Sequence, residues 1–196
     1  MQPLHKRLPK ETLLHLYTEL EMTDRAIAER YSTHRSAVTH LRKTYGIPAR
    51  MSIGRQGELL ALAKLRGSGF DVLDMNQADK LAAFDILLDG EIRIEVKTSG
   101  DHNGRGVFSL SDQRTNGNKV SDTRIRLSNG RTKKLYSKTA DFFLFVYIER
   151  KGTSFYLIPS DELPETMQAL AIPSGGGKYW KYQNKWQLLK REGVHA

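Results

Sequence analysis

The chain has 196 residues, no cysteine and a formal charge of +9, from 31 Lys and Arg against 22 Asp and Glu. The absent thiols exclude disulfides, iron–sulfur clusters, thiolate zinc sites and cysteine nucleophiles. No stretch of sequence approaches the roughly 20 apolar residues of a transmembrane helix, and the first ten residues hold no apolar signal-peptide core, so we expect an intracellular protein with no membrane partner.

The charge is unevenly distributed along the chain. Residues 1–50 carry nine basic and five acidic side chains, 51–99 carry six and eight, 100–140 carry nine and three, and 141–196 carry seven and six. An acidic segment therefore lies between two basic segments. Positive charge favours a polyanionic partner. A divalent cation bound by the acidic segment would remove the conflict between its carboxylates and phosphate.

Apolar residues in the first fifty positions recur at helical spacing. They predict helices over about 10–21, 24–31 and 34–44, with the hydroxyl of Thr23 capping the second helix. Gly46 ends the third helix because glycine readily adopts the left-handed cap.

The segment Arg25–Thr44 resembles a helix-turn-helix. Ala28 stands where a small side chain lets the two helices pack closely, and the hydrophobic anchors Val38 and Leu41 follow ten and thirteen residues later. The turn residue, usually glycine, is Ser32. The resemblance implies that the second helix of the motif lies in the major groove of double-stranded DNA. The residues implied to contact DNA are Arg35, Ser36, Thr39, His40, Arg42 and Lys43. The alternative is a helical bundle with a solvated polar face.

The pattern changes after Gly54. Residues 56–65 read as a helix with one apolar side, 70–73 as a short strand, and 84–98 as a hairpin that turns at Asp89-Gly90.

Within the second strand of this hairpin, polar and apolar residues alternate cleanly. Glu95 and Lys97 therefore share one face, and hairpin pairing brings Asp85 beside them. Carboxylate oxygens are suitable ligands for Mg²⁺. A neighbouring ammonium stabilises charge on phosphate and positions an attacking water.

These residues resemble the PD-(D/E)XK nuclease superfamily. Its pattern has an acidic residue on an early helix, an Asp entering a hairpin, and Glu-x-Lys on the next strand. The matching residues in order are Glu58, Asp85, Glu95 and Lys97. Phe84 stands where the superfamily pattern has proline. The resemblance covers roughly residues 54–190 and implies a restriction-endonuclease-like mixed β-sheet flanked by helices.

The resemblance also implies the cofactor and the role of each residue. Mg²⁺, with Mn²⁺ as a substitute, is bound by Asp85, Glu95 and the carbonyl of Val96. Glu58 helps to hold the metal or its water, and Lys97 orients and activates the water that attacks phosphorus. Hydrolysis then proceeds in line with departure of the 3′ oxygen.

Residues 100–140 combine Gly, Asn and Ser with many cations. Such a composition predicts either a flexible loop or a basic insertion that contacts phosphate, with short strands around 108–110 and 124–127. The cations assigned to DNA are Arg105, Arg114, Lys119, Arg124, Arg126, Arg131, Lys133 and Lys134.

The remainder of the chain predicts further sheet. The apolar run 141–148 is typical of a buried central strand, and 155–159 of its neighbour. A helix is expected over about 161–171. We expect Trp180 and Trp186 to pack on the sheet rather than to stack on bases.

Together these features predict an α/β protein with a helix-turn-helix domain over 1–50 and a nuclease domain over 51–196, in which 100–140 is a basic insertion. The predicted function is Mg²⁺-dependent, sequence-directed DNA cleavage, closest in style to homing endonucleases of phages and introns. We expect a homodimer or homotetramer, because cutting two strands needs two sites. The expected location is the cytoplasm or nucleoid of a bacterial or phage-infected host.

Several alternatives stay open. A restriction endonuclease or a Holliday-junction resolvase would use the same catalytic residues on different DNA. A non-catalytic helix-turn-helix regulator belongs to another class, and the complete set of four catalytic residues argues against it. An RNA target is disfavoured because the major groove of RNA is too narrow for a recognition helix.

Overall fold

A computed structural model of the protein describes residues 2–79, 81–111 and 120–190. The chain divides into two compact units, Met1–Arg50 and Met51–Ala196. The first unit is helical, and the second contains every strand of the described residues. None of the helices in these ranges has both the length and the apolar character that crossing a membrane requires.

The N-terminal unit contains the three helices that the sequence predicts, the first as an α-helix followed by a π-helical turn. Its elements are α1 (Leu4–Arg7), α2 (Lys10–Leu14), the π turn (His15–Glu19), α3 (Asp24–Arg30) and α4 (Arg35–Thr44). They enclose a core in which Leu13, Ile27 and Val38 are fully buried. The Thr23 hydroxyl accepts a hydrogen bond from the N–H of Ala26 and so caps α3.

The connection between α3 and α4 is tight. Ser32 has a φ of +47°, in the left-handed region that glycine favours. The N–H of Thr33 donates to the carbonyl of Ala28 at 2.9 Å. His34 then caps α4 by accepting a hydrogen bond from the N–H of Ser36. Ser32 therefore adopts the conformation for which the resembled motif usually has glycine.

The second unit is built on a five-stranded sheet. Its elements are α5 (Ile53–Gly67), β1 (Val72–Asp74), α6 (Met75–Ala78), β2 (Ile86–Leu88), β3 (Ile92–Gly100), β4 (Arg105–Ser109), β5 (Arg124–Arg126), β6 (Thr132–Lys134), α7 (Tyr136–Thr139), β7 (Phe142–Glu149), β8 (Gly152–Pro159) and β9 (Ala169–Pro173), with 3₁₀ turns at Ser160–Glu162, Trp180–Tyr182 and Trp186–Leu189. The strand order is β1-β2-β3-β7-β8, in which β3 and β7 are parallel and the other pairs antiparallel. The predicted α/β class, a mixed sheet flanked by helices, is confirmed.

Two further pairs of strands lie outside this sheet. β4 pairs with β9 and β5 with β6, both antiparallel. The pairing of β4 with β9 corrects one prediction. The prediction of a helix over 161–171 was wrong, because that segment holds a 3₁₀ turn followed by β9. Leu170 and Ile172 are buried while their neighbours are exposed, which is the period-2 pattern of a strand.

The hairpin of β2 and β3 is present, but its connection is one residue longer than the predicted two-residue turn. Leu88 pairs with Ile92, so Asp89, Gly90 and Glu91 connect the strands. The N–H of Glu91 donates to the carbonyl of Leu88 across Asp89 and Gly90, both of which have positive φ. The register pairs Ile86 with Ile94, so Asp85 lies opposite Glu95 at the end where β2 begins.

The central strand β7 is buried on both faces. Leu144 and Val146 pack on the side of α5, while Phe143, Phe145 and Tyr147 pack into a second core on the opposite side. A strand covered on both faces reads as a continuous apolar run, which is what the sequence shows. The predicted buried strand is therefore present. It lies inside the sheet, between β3 and β8, and it pairs in parallel with β3.

Candidate functional site

Two carboxylates, that of half-buried Asp85 and that of buried Glu95, meet where β2 begins. The N–H of Asp85 donates to the carbonyl of Ile94 at 3.0 Å, and its Oδ2 accepts a hydrogen bond from the N–H of Val96 at 2.8 Å. Glu95 stands between Ile94 and Val96 in the chain, and the residue is 5% exposed. The hairpin register therefore brings the two acidic residues together, as the sequence predicts.

Lysines surround the Glu95 carboxylate. Nζ of Lys97 donates to Oε1 at 2.5 Å, and Nζ of Lys134 donates to Oε2 at 2.5 Å. Both ammonium groups also lie near the face of the Tyr136 ring, at 5.5 and 5.2 Å from its centroid. Two positive charges and one aromatic face thus balance two carboxylates in a small, largely buried space.

The pKa shifts of the central pair follow from this arrangement. Burial raises the pKa of Asp85 to about 6, and the neighbouring Glu95 carboxylate adds to the shift. Burial opposes the charged form of Lys97, but the attraction of Glu95 outweighs it and raises the pKa of the ammonium. Lys97 therefore holds its proton firmly, whereas Asp85 gains one more readily than an exposed carboxylate.

Glu58 is held at the start of α5 by a second polar network. Its Oε2 accepts hydrogen bonds from Arg55 at 2.8 Å and from the side-chain amide of Asn76 at 3.0 Å. Arg55 also pairs with Asp74, with its second nitrogen 2.6 Å from the carboxylate. Asp74 in turn caps α6 by accepting the N–H of Asn76. The negative charge of Glu58 contributes to the raised pKa of Asp85.

The start of α5 approaches β3 at a glycine. A Cβ added at Gly57 would lie 1.9 Å from Oγ1 of Thr98, so any larger side chain would force the helix and strand apart. Gly57 therefore allows the close packing of α5 on β3, and Glu58 follows it directly in the chain.

Sequence reasoning missed Arg55, Asp74, Asn76 and Tyr136. Arg55 precedes Glu58 by three residues, the spacing at which helical side chains pair, so this contact had a signal in the sequence. The other three come from different elements and had none.

The donor set suits a hard divalent cation. Asp85 and Glu95 offer carboxylate oxygens, and Mg²⁺ is commonly bound by one or two carboxylates while it keeps several waters. Across residues 2–79, 81–111 and 120–190, no three acidic or histidine side chains converge into a ready-made cluster. The fit therefore rests on this pair, on the Val96 carbonyl and on water.

The cations of the predicted basic insertion lie in different environments. Lys133 is only 3% exposed, and its ammonium donates to the carbonyls of Pro164 and Glu165 at 3.2 and 2.6 Å. This buried position does not suit the phosphate contact that the sequence suggested, because the stem of Lys133 points inward. Lys134 contacts Glu95. Of the other assigned cations, Arg105 and Arg126 are exposed, Arg124 and Arg131 are half-buried, and Arg114 and Lys119 lie outside the described residues.

On α4, Arg42 departs from the predicted DNA-contacting set. Its guanidinium donates to both carboxylate oxygens of Asp24 and to the carbonyl of Ile47, and the residue is 5% exposed. Burial acts against the charge of Asp24, but Arg42 and Thr39 outweigh it and hold the pKa of this carboxyl low. Arg42 thus braces α4 against the start of α3 rather than facing outward.

The other predicted residues of α4 line one surface. Thr39 is half-buried and donates to Asp24. The exposed residues are Arg35, Ser36, His40 and Lys43. Together with His34 they border a shallow depression. The structure therefore presents a polar, basic face along α4 with Arg42 removed from it.

The chain resembles known proteins in structure rather than in sequence. No protein-family model matches the chain, and no curated protein matches it significantly in sequence. One similar solved structure is described as that of a bacterial homing endonuclease, I-Ssp6803I, with a TM-score of 0.51 and 16% identity over 70% of this chain and 90% of that one. The matched part of the chain shares the fold of that structure. At this identity the likeness concerns fold alone.

Proposed function

We propose that the protein is a Mg²⁺-dependent, sequence-directed DNA endonuclease of the PD-(D/E)XK type, acting as a homing endonuclease. The observation that carries the proposal is the pair of half-buried Asp85 and buried Glu95 on adjacent strands, with Lys97 bonded to Glu95. Burying two carboxylates costs folding free energy, and such sites are typical of function. The likeness to a homing endonuclease supports the same reading.

Each residue has a task in the proposed reaction. Asp85, Glu95 and the Val96 carbonyl would hold Mg²⁺, with Glu58 beside them. When bound, the metal polarises the phosphate and lowers the pKa of a coordinated water. Lys97 keeps its proton, so we expect it to orient the attacking water and to stabilise negative charge on the phosphate oxygens rather than to remove a proton.

The N-terminal unit is the proposed DNA reader, a helix-turn-helix domain. Arg35, Ser36, His40 and Lys43 stand exposed on α4, where a helix in the major groove would present donors to base edges and phosphates. Arg42 would act through the position of α4, because Asp24 occupies its guanidinium.

Cleavage of supercoiled plasmid in Mg²⁺ tests the catalytic proposal. We expect metal-dependent nicking or linearisation by the wild type, and a loss of about a hundredfold or more in Asp85→Asn and in Lys97→Met. Asp79→Asn is the matched control, since Asp79 is exposed and outside the site. Full activity in either site variant, or no metal-dependent cleavage of any DNA form by the wild type, would contradict the proposal.

A separate experiment tests whether the DNA sequence directs cleavage. Cleavage of a complex DNA library in Mg²⁺, followed by sequencing of the ends, should yield one recurrent site. Cleavage that follows four-way junctions regardless of sequence would instead indicate a junction resolvase. We also propose a homodimer or homotetramer, since double-strand scission needs two sites, and light scattering on the purified protein measures it.

A further inference from the structure

Both oxygens of the Glu95 carboxylate are occupied by ammonium groups. Lys97 takes Oε1 and Lys134 takes Oε2, each at 2.5 Å, while the Glu95 side chain is 7% exposed. A divalent cation bound to a carboxylate oxygen lies at about 2.1 Å for Mg²⁺. Each carboxylate oxygen has two lone-pair sites, but an ammonium in contact with the same oxygen repels the divalent cation, so the metal binds more tightly once that ammonium moves away.

The two lysines differ in how they reach Glu95. Lys97 belongs to the same strand, β3, and its position is fixed by the five-stranded sheet. Lys134 ends β6, which lies outside the five-stranded sheet and, among the described residues, pairs with β5 through three residue pairs. The two lysine side chains are similarly exposed, 19% for Lys134 and 25% for Lys97, so the difference between them lies in the strands that carry them. Lys134 is therefore the cation that can leave Glu95 without disturbing the strand that carries the carboxylate.

We propose that Lys134 is a displaceable counter-ion that holds Oε2 of Glu95 until the metal binds, and that its released ammonium then contacts a DNA phosphate. This inference rests on the proposed function, because it assumes that Glu95 is a metal ligand. In this proposal the contact of Lys134 with phosphate depends on the metal, unlike the contact of a lysine that only binds phosphate. Metal and lysine compete for one oxygen, and the lysine stem keeps the ammonium near Glu95 in either state.

A thermodynamic consequence follows. A phosphate that attracts the Lys134 ammonium frees Oε2, and a metal that takes Oε2 frees the ammonium for phosphate. DNA and metal therefore bind cooperatively, and the coupling is reciprocal. Without either ligand, Lys97 and Lys134 balance Asp85 and Glu95, so the protein keeps its buried carboxylates neutralised.

The test measures Mn²⁺ binding to the full chain without DNA, by calorimetry or by the electron paramagnetic resonance of free Mn²⁺. Lys134→Met removes the competitor, and we expect its affinity for Mn²⁺ to rise by about tenfold or more over wild type. Lys138→Met removes the same charge from an exposed ammonium that donates to the carbonyl of Asp122, and we expect a change below about twofold.

A second measurement uses the wild type and does not depend on a variant that folds. Reductive methylation with and without Ca²⁺, read by mass spectrometry, should show faster labelling of Lys134 when the metal is bound and no change at Lys138. Unchanged or weaker Mn²⁺ binding by folded Lys134→Met, or labelling of Lys134 that ignores the metal, would overturn the inference while leaving the metal site intact. Absence of binding by wild type and variant alike at millimolar Mn²⁺ would refute the metal site itself.

Discussion

Replacing Asp85 by asparagine should stabilise the metal-free protein at neutral pH. The pKa of Asp85 rises from 3.8 to about 6, chiefly through burial and then through Glu95, so folding disfavours the ionised carboxylate. A difference of this size corresponds to roughly 3 kcal/mol, which we treat as an upper value. Asparagine keeps a side-chain oxygen that can accept the N–H of Val96, and it removes the charge.

The stabilisation depends on pH. Well below 3.8 Asp85 is protonated in the folded and unfolded states, and it carries no penalty. As the pH rises the unfolded chain ionises first, so the penalty grows and reaches its full size above the folded-state pKa of about 6. Asp85→Asn should therefore match wild type near pH 3 and exceed it by about 2–3 kcal/mol near pH 7.

Urea unfolding followed by circular dichroism, in a chelator and across this pH range, measures the difference. Asp79→Asn is the control, because exposed Asp79 also accepts a backbone N–H, from Leu81 at 2.9 Å, and should stay within about 0.5 kcal/mol of wild type. A difference that does not grow with pH, or a variant less stable than wild type at neutral pH, would refute the reasoning. Added Mg²⁺ should raise the unfolding midpoint of wild type and leave that of Asp85→Asn unchanged.

Two further substitutions test packing within each unit: that of α5 on β3 at Gly57, and that of α4 on α3 at Arg42. Gly57→Ala should cost about 1–3 kcal/mol in urea unfolding because its Cβ would meet Thr98 at 1.9 Å. Gly54→Ala should gain up to about 1 kcal/mol, because its Cβ would make only an ordinary contact with Oγ of Ser52 at 3.9 Å. Equal effects would contradict the proposed close approach. Arg42→Met should cost about 3 kcal/mol because the largely buried Asp24 carboxylate would lose its counter-charge and keep the Thr39 hydroxyl as a donor, against about 0.5 kcal/mol or less for exposed Arg25→Met. A stable Arg42→Met protein that has lost DNA binding would show instead that Arg42 contacts DNA.

Short-range patterns in the sequence predicted the hairpin and the central sheet well. Alternation along β3 places Glu95 and Lys97 on one face, but a two-residue turn at Asp89-Gly90 would have paired Asp85 with Ile94. The third connecting residue, Glu91, sets the register that places Asp85 opposite Glu95. The apolar run of β7 likewise showed a strand buried on both faces. In each case the information lies within about fifteen residues of chain.

Long-range contacts account for what the sequence could not predict. β9 forms a strand because β4 pairs with it, and its own residues alone suggested a helix. Charge by itself does not show where a side chain points. Lys133 and Lys134 are neighbours of equal charge, yet one is buried against carbonyls and the other reaches Glu95. The inward turn of Arg42 depends on Asp24, eighteen residues earlier.

The parallel pairing of β3 with β7 has a consequence for the order of folding. It joins residues 94–100 to 142–148, whereas a three-residue connection joins β2 to β3 and the first unit folds from contacts within fifty residues. Local pairings form faster than distant ones, and N-terminal segments emerge first during synthesis. We expect the two carboxylates to meet on the nascent chain before Lys134 arrives. The charge balance of the site is thus completed late, once the β5–β6 hairpin and β7 have joined the structure.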